Sequence, residues 1–282
     1  MSIIQENFDA YLSAPAYGSS DIRAFKKGSP ALVKWRRENR SAQDDTAATI
    51  IGKAAHCRIL TPDLFDASYV VKPEGLEFRS KEAKAIRDEW LAAGKTILSA
   101  DDERQVNAIA AAFNGKALVR RAIPRATAIE TSVYWTCAES GLPRKCRPDW
   151  FVAGEATYDL KVSIEAEKDL ATLAYKAHAN GWANQAAGCK AGLAANGIEV
   201  PVGRIVVVAP NPPQDVRVWL LEIRENDMLF LEMDNANTCR EMAVCHRTGQ
   251  WPGTPDDWQV IELPASAAFT EADLEGADEV PV

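Results

Sequence analysis

Apolar and polar positions along the chain change period several times, and the changes mark out the elements. Ser19-Ser20-Asp21 is a helix-start signal, and Gly28-Ser29-Pro30 restarts a helix that runs through Trp35 to about Asn39. Ser41–Asp45 reads as a polar connector. From Thr46 to Leu60 the apolar residues Ile50, Ile51, Ala54, Ala55 and Ile59 fit a helix that Pro62 stops. Residues 63–78 read as a loop and a short strand around Tyr69-Val70-Val71. Arg79–Ala92 and Ala100–Asn114 are two polar, alanine-rich helical stretches separated by Gly94. Asp101-Asp102-Glu103 fall in the first turn of the second, where the helix dipole favours acids. Residues 1–18, with Pro15 and Gly18, read as an irregular, flexible N-terminus.

Beyond Ala126 the period shortens. Ala126–Thr136 reads as a strand, and Gly141-Leu142-Pro143 turns into the stretch Cys146–Lys161. That stretch reads as two strands, about Arg147–Ala153 and Ala156–Val162, joined by a turn at Gly154. Helical sequence follows from Ala166 to Ala179. Asn180-Gly181 caps or kinks it, and Trp182–Asn196 continues as helix. Arg204–Val208 is a short apolar run suited to a buried strand, Val216–Ile223 is a further strand, and Glu225–Arg247 is a helix. The order is helices, three strands, a helix, two strands and a helix. It predicts an α/β architecture, an α+β mixed sheet with helices on both faces and an N-terminal helical lobe. Residues 19–262 are expected to form one domain, with a helical lobe at 19–122 and a core at 126–250. An acidic tail is expected at 263–282.

The two-strand stretch carries the candidate chemistry. Strand side chains alternate faces, so Asp159 and Lys161 point to one side while Tyr158 and Leu160 enter a core on the other. A hairpin-like return brings Asp149 beside Asp159. Two close carboxylates repel each other, and a hard divalent cation such as magnesium relieves the repulsion. Such a metal polarises a phosphate oxygen and lowers the pKa of a bound water. A lysine beside it stabilises charge on the phosphorane or orients the water. The plain alternative is an exposed hairpin with a solvated Asp–Lys pair, contributing less than ~1 kcal/mol. Glu130, on the preceding strand, is a possible third carboxylate or an exposed strand residue. His56 is a packed or surface histidine or a ligand, and Gly52 one turn before it permits close approach of another group. Trp182, Gln185, Ala186 and Cys189 share a helix face, so Gln185 either satisfies a buried backbone group or faces the site.

Composition adds constraints. An apolar fraction of 47% over 282 residues supports a real core. No apolar run approaches ~18 residues, so no membrane span is expected. The N-terminus lacks a basic start and an apolar run, so no secretory signal is expected and the protein is placed in the cytoplasm. Six cysteines there are expected to be reduced and structural. The alternative is an iron–sulfur or zinc set, the closest C-terminal pair being Cys239 and Cys245 with His246 adjacent. The net charge of −8 argues weakly against nucleic acid. It is uneven, however: Asp21 to Arg40 holds seven basic residues against two acidic, and the last twelve residues hold five acids and no base. Local potential, not the net value, steers a polyanion. Lys26, Lys27, Arg36 and Arg147 are candidate DNA contacts.

Taken in order, G-K-A-A-H-C-R-I-L with His56, E-T-S-V-Y-W with Glu130, C-R-P-D-W with Asp149, Y-D-L-K with Asp159 and Lys161, and G-W-A-N-Q-A-A with Gln185 resemble the PD-(D/E)XK nuclease superfamily. The set is most similar to the RecE-type (exonuclease VIII) phage and prophage exonucleases. The early S-S-D-I-R-A-F-K-K-G-S-P-A and the late G-Q-W-P-G also fit, so the likeness covers roughly residues 15–260. It implies a restriction-endonuclease-like core with N-terminal helical additions. It also implies magnesium-dependent 5′-to-3′ digestion of linear double-stranded DNA, with manganese as a substitute ion, leaving 3′ single strands for recombination. Asp149, Asp159 and His56 would hold the metal, Lys161 would be the catalytic lysine, Glu130 the acid of the preceding strand, and Gln185 the support for the lysine or the scissile phosphate. A ring-shaped homo-oligomer threaded by DNA, a single-strand annealing partner of the RecT kind, and a bacterial or phage-infected cytoplasm are implied as well. Two departures stand out: Val162-Ser163 follow D-L-K where threonines are common, and Trp182 replaces a commoner tyrosine. An endonuclease of the same superfamily and a non-catalytic DNA-binding or assembly protein are the other readings.

Overall fold

The computed structural model describes residues 2–39, 46–163, 169–211, 215–254 and 256. The expected connector at 41–45 and the expected acidic tail lie outside the described residues, as does the start of the helix expected from Ala166. The N-terminal part carries β1 (Ser2–Ile4), α1 (Phe8–Ser13), α2 (Ser19–Lys27), α3 (Pro30–Glu38) and α4 (Ala47–Leu60). It continues through α5 (Phe65–Ser68), β2 (Tyr69–Val71), α6 (Lys81–Ala92), β3 (Thr96–Leu98), α7 (Ala100–Gly115) and α8 (Ala117–Ala122). Short polar side chains start these helices. Ser29, Thr46, Ser80 and Ser99 each accept a hydrogen bond from a backbone N–H of the first turn, which would otherwise lack a partner.

The second part holds β4 (Ala128–Ile129), β5 (Ser132–Thr136), β6 (Pro143–Cys146), β7 (Trp150–Val152), β8 (Ala156–Val162), α9 (Leu170–Ala179), α10 (Trp182–Ala195), β9 (Val202–Asn211), β10 (Asp215–Glu222) and α11 (Glu225–Thr248). A five-stranded sheet runs β10-β9-β8-β7-β4. Its β8–β9 pair is parallel and the other pairs are antiparallel, so the sheet is mixed. A second sheet runs β1-β5-β6, and β2 pairs with β3.

Alternation along the strands divides the core. Trp150, Tyr158, Leu160, Val206 and Val208 face one way and pack against Ile51 and Ala55 of α4 and Ile109 and Phe113 of α7. Ile205 and Val207 face the other way, against Leu173 and Ala177 of α9. Phe151 on that face meets Cys189 and Leu193 of α10, with Val133 and Trp135 of β5. Fully burying each large apolar side chain contributes about 1.5–3 kcal/mol, so both faces anchor their helices firmly. Trp150 stacks on its register partner Tyr158, with ring centroids 4.7 Å apart.

Four expectations change. Residues 1–18 are not irregular throughout: β1 pairs antiparallel with β5, and α1 follows it, capped by Asn7. The single strand expected over Ala126–Thr136 is two strands in different sheets, because Glu130 adopts a left-handed φ of 50° that no strand can carry. The strand expected from Arg147 begins instead at Trp150, since Pro148 has no amide to give a ladder. Five strands therefore lie between α8 and α9 where three were expected, and β6 is the one without a clear alternating signal. By contrast, the turn at Gly154 and the break at Gly181 fall where the sequence puts them, both glycines taking positive φ.

Candidate active site

β8 carries Asp159 and Lys161 on the face turned toward α10. The Lys161 Nζ lies 2.7 Å from Asp159 Oδ2 and donates to Gln185 Oε1 at 3.2 Å. The Gln185 Nε2 in turn donates to Asp159 Oδ1 at 2.9 Å. Gln185 thus faces the site and bridges the lysine and the carboxylate. Burial works against the ammonium, yet Asp159 and Asp149 hold the Lys161 pKa above its ordinary value. Asp159 Oδ2 is buried and accepts no well-directed hydrogen bond.

Asp149 sits just before β7, and the return of the chain through Gly154 sets it against β8. Its Oδ2 accepts from the Leu160 N–H. Burial pushes the Asp149 carboxyl up to about 7; the Asp159 and Glu130 charges add to the rise, while His56 and Lys161 oppose it. His56 reaches the site from α4 on the far face of the sheet. Its Nε2 lies 2.8 Å from the Leu160 carbonyl oxygen, which can only accept, so Nε2 donates and the neutral form of the ring has its lone pair on Nδ1. That Nδ1 points at Asp149 Oδ2, 3.9 Å away. A Cβ at Gly52 would meet nothing within 4 Å, and the residue lines the cleft.

Glu130 completes the set from its left-handed turn. Its N–H donates to the Asp149 carbonyl at 2.9 Å, tying the break between β4 and β5 to the loop before β7. One ligand atom each from His56, Glu130 and Asp149 lies within 4.8 Å of the others, the one such grouping among the described residues. Two hard carboxylates and a histidine with a ring nitrogen turned toward them, beside the further carboxylate of Asp159, suit a divalent cation. Among the described residues the cysteines form no such grouping. All six are free thiols, and His246 bonds the Tyr17 hydroxyl at 3.0 Å.

These groups open into a cleft of about 840 Å³ lined by residues of α1, α2, α4 and β8 and by Gln185 of α10. Sequence reasoning missed its outer wall, formed by Phe8, Tyr11 and Leu12 of α1. It also missed what Arg147 does. The Arg147 guanidinium ion-pairs with Glu130 at 2.9 Å and donates to the Glu6 carbonyl at 3.0 Å, fastening the N-terminal segment to the site. Only its place two residues before Asp149 marked it. The other basic candidates are dispersed. Lys26 pairs with Asp234, Lys27 donates to the Ala179 carbonyl, and Arg36 is exposed on α3.

Comparison with known proteins bears on the fold. The crystal structure of a protein from Eubacterium rectale described as a putative exonuclease superposes with a TM-score of 0.61, covering 97% of this chain and 99% of that one at 14% identity. At that identity the likeness establishes a shared fold. No family model matches the sequence, and no curated protein matches it. No helix among the described residues is long and apolar enough to cross a membrane.

Proposed function

We propose that this protein is a metal-dependent deoxyribonuclease that digests linear double-stranded DNA from the 5′ end. The observation that carries the reading is the convergence, in one cleft, of Asp149, Asp159, Lys161, Gln185, His56 and Glu130 from separate segments of the chain. A half-buried lysine held at 2.7 Å from one carboxylate, beside a second whose pKa is raised, is costly to fold and has a direct use in phosphodiester chemistry. The fold shared with a protein described as an exonuclease agrees with it.

In this reading His56, Glu130 and Asp149 hold magnesium or manganese, with Asp159 beside them. Bound there, the ion supplies Lewis acidity to a phosphate oxygen and acidifies a water. Lys161 stabilises the negative charge that develops on the phosphate, and Gln185 keeps both the ammonium and Asp159 in place. His56 holds one tautomer through Leu160, so its Nδ1 stays available. The resemblance in sequence extends the proposal to a ring-shaped homo-oligomer in the cytoplasm that hands 3′ single strands to an annealing protein.

The test is release of nucleotides from linear and closed circular duplex DNA in magnesium, with the wild type beside Lys161→Ala. Digestion of the linear form alone, lost in EDTA and in the variant, is the expected result. Cutting of the circle moves the assignment to an endonuclease. No digestion by folded wild type with either ion leaves a non-catalytic DNA-binding protein.

A further inference from the structure

The outer wall of the cleft is apolar and aromatic, which a site for phosphate chemistry does not need. Phe8 is 51% exposed and Leu12 41%, yet both line the same cleft as Asp149 and Lys161. The Phe8 ring lies at 26° to that of Tyr11, with centroids 6.0 Å apart, and both residues line the cleft.

This wall is fastened, not draped. The Lys145 ammonium donates to the Tyr11, Leu12 and Ala14 carbonyls at 2.6, 2.9 and 3.0 Å. Two residues before Phe8, the Glu6 carboxylate accepts from the Tyr134 hydroxyl at 2.5 Å. Arg147 joins the Glu6 carbonyl to Glu130, so α1 and the carboxylates share one rigid support. Such bracing of an exposed ring, next to groups suited to a phosphodiester, fits a surface that receives the base attached to it.

We infer that Phe8 is a stacking platform for the nucleobase of the terminal nucleotide, and that it makes the cleft selective for DNA ends. The inference rests on the nuclease reading for its ligand. Inside a duplex both faces of every base are covered by neighbours. A ring in the protein can stack only on the last base of an end or on an unpaired one. Stacking tolerates any base, because each has a π-face, so the platform adds affinity without sequence preference. Leu12 borders the same surface and gives the sugar or the base edge an apolar neighbour.

The test uses the full-length chain and DNA carrying 2-aminopurine as the terminal base, whose fluorescence is quenched on stacking. Binding is measured in EDTA so that nothing is cut, and hydrolysis is measured separately in magnesium. Wild type should quench the terminal probe but not an internal one. Phe8→Ala should abolish the quenching and weaken binding of ends roughly tenfold, with an unchanged melting temperature because the ring is exposed. Phe8→Trp should restore both. That pattern supports the platform whether or not hydrolysis is seen. Hydrolysis by both proteins with equal quenching, or no quenching by the wild type, overturns it. Loss of hydrolysis alone counts against the nuclease reading and leaves the platform standing.

Discussion

Replacing Asp149 by Asn removes one charge from the site while keeping its shape. The amide oxygen can still accept from the Leu160 N–H, in the position of the carboxylate oxygen that lies 3.9 Å from His56 Nδ1. Burial raises the Asp149 carboxyl from 3.8 to about 7 in the folded protein. The folded state therefore keeps a proton that the unfolded chain gives up near pH 4. Between those values the native state binds more protons, so stability falls as pH rises through that window and levels off above it. The full shift corresponds to about 4 kcal/mol at most. Asp149→Asn escapes this loss. In EDTA it should melt higher than wild type at pH 8, on the order of 5–10 °C for a chain of this size, and the gap should shrink toward nothing near pH 4. With magnesium at pH 8 the wild type should rise more than the variant, because the metal binds more tightly to the protein that offers the carboxylate. Thermal melts followed by circular dichroism at several pH values check this. A variant that melts lower at pH 8 in EDTA, or a gap that does not change with pH, would refute the burial argument.

Lys161→Ala should lower nuclease turnover by ~100-fold or more, and Lys161→Arg should not restore it, since the longer, planar guanidinium moves the charge from the place the compact ammonium holds 2.7 Å from Asp159 and 3.2 Å from Gln185. Single-turnover hydrolysis is the measure. Gln185→Ala removes two hydrogen bonds that position other groups, so turnover should fall roughly tenfold while magnesium affinity, read by calorimetry, stays close to wild type. Glu130→Gln should weaken that affinity by about tenfold or more and leave the fold intact, because the amide oxygen still accepts from Arg147. Gly192→Ala is a control away from the site. Its Cβ would stand 2.6 Å from the Trp135 ring, so it should cost about 1–3 kcal/mol of stability in urea unfolding, with little change in hydrolysis per folded molecule.

The alternation of Tyr158, Asp159, Leu160 and Lys161 was legible from the sequence, because strand geometry allows only two faces and one of them is apolar. The helix limits at Thr46 and Pro62, the turn at Gly154 and the break at Gly181 were legible for the same kind of reason: each depends on a residue's own backbone preferences. So was the mixed sheet with helices on both faces, since the order of elements and the apolar run at Arg204–Val208 demand two covered sides. The left-handed turn at Glu130 was not legible. Nothing local favours it in a glutamate, and it is held by Asp149 and Arg147, both distant in sequence. The strand in residues 1–18 was hidden because Ser2–Ile4 gains its hydrogen bonds from β5, about 130 positions on. Which groups surround His56 was likewise decided by tertiary packing. The sequence places it on a helix, but only the docking of α4 over β8 turns its Nε2 to the Leu160 carbonyl and its Nδ1 to Asp149. Local sequence fixes backbone conformation within a few residues, whereas a site made from separate segments exists only once burial has paid for bringing their charges together.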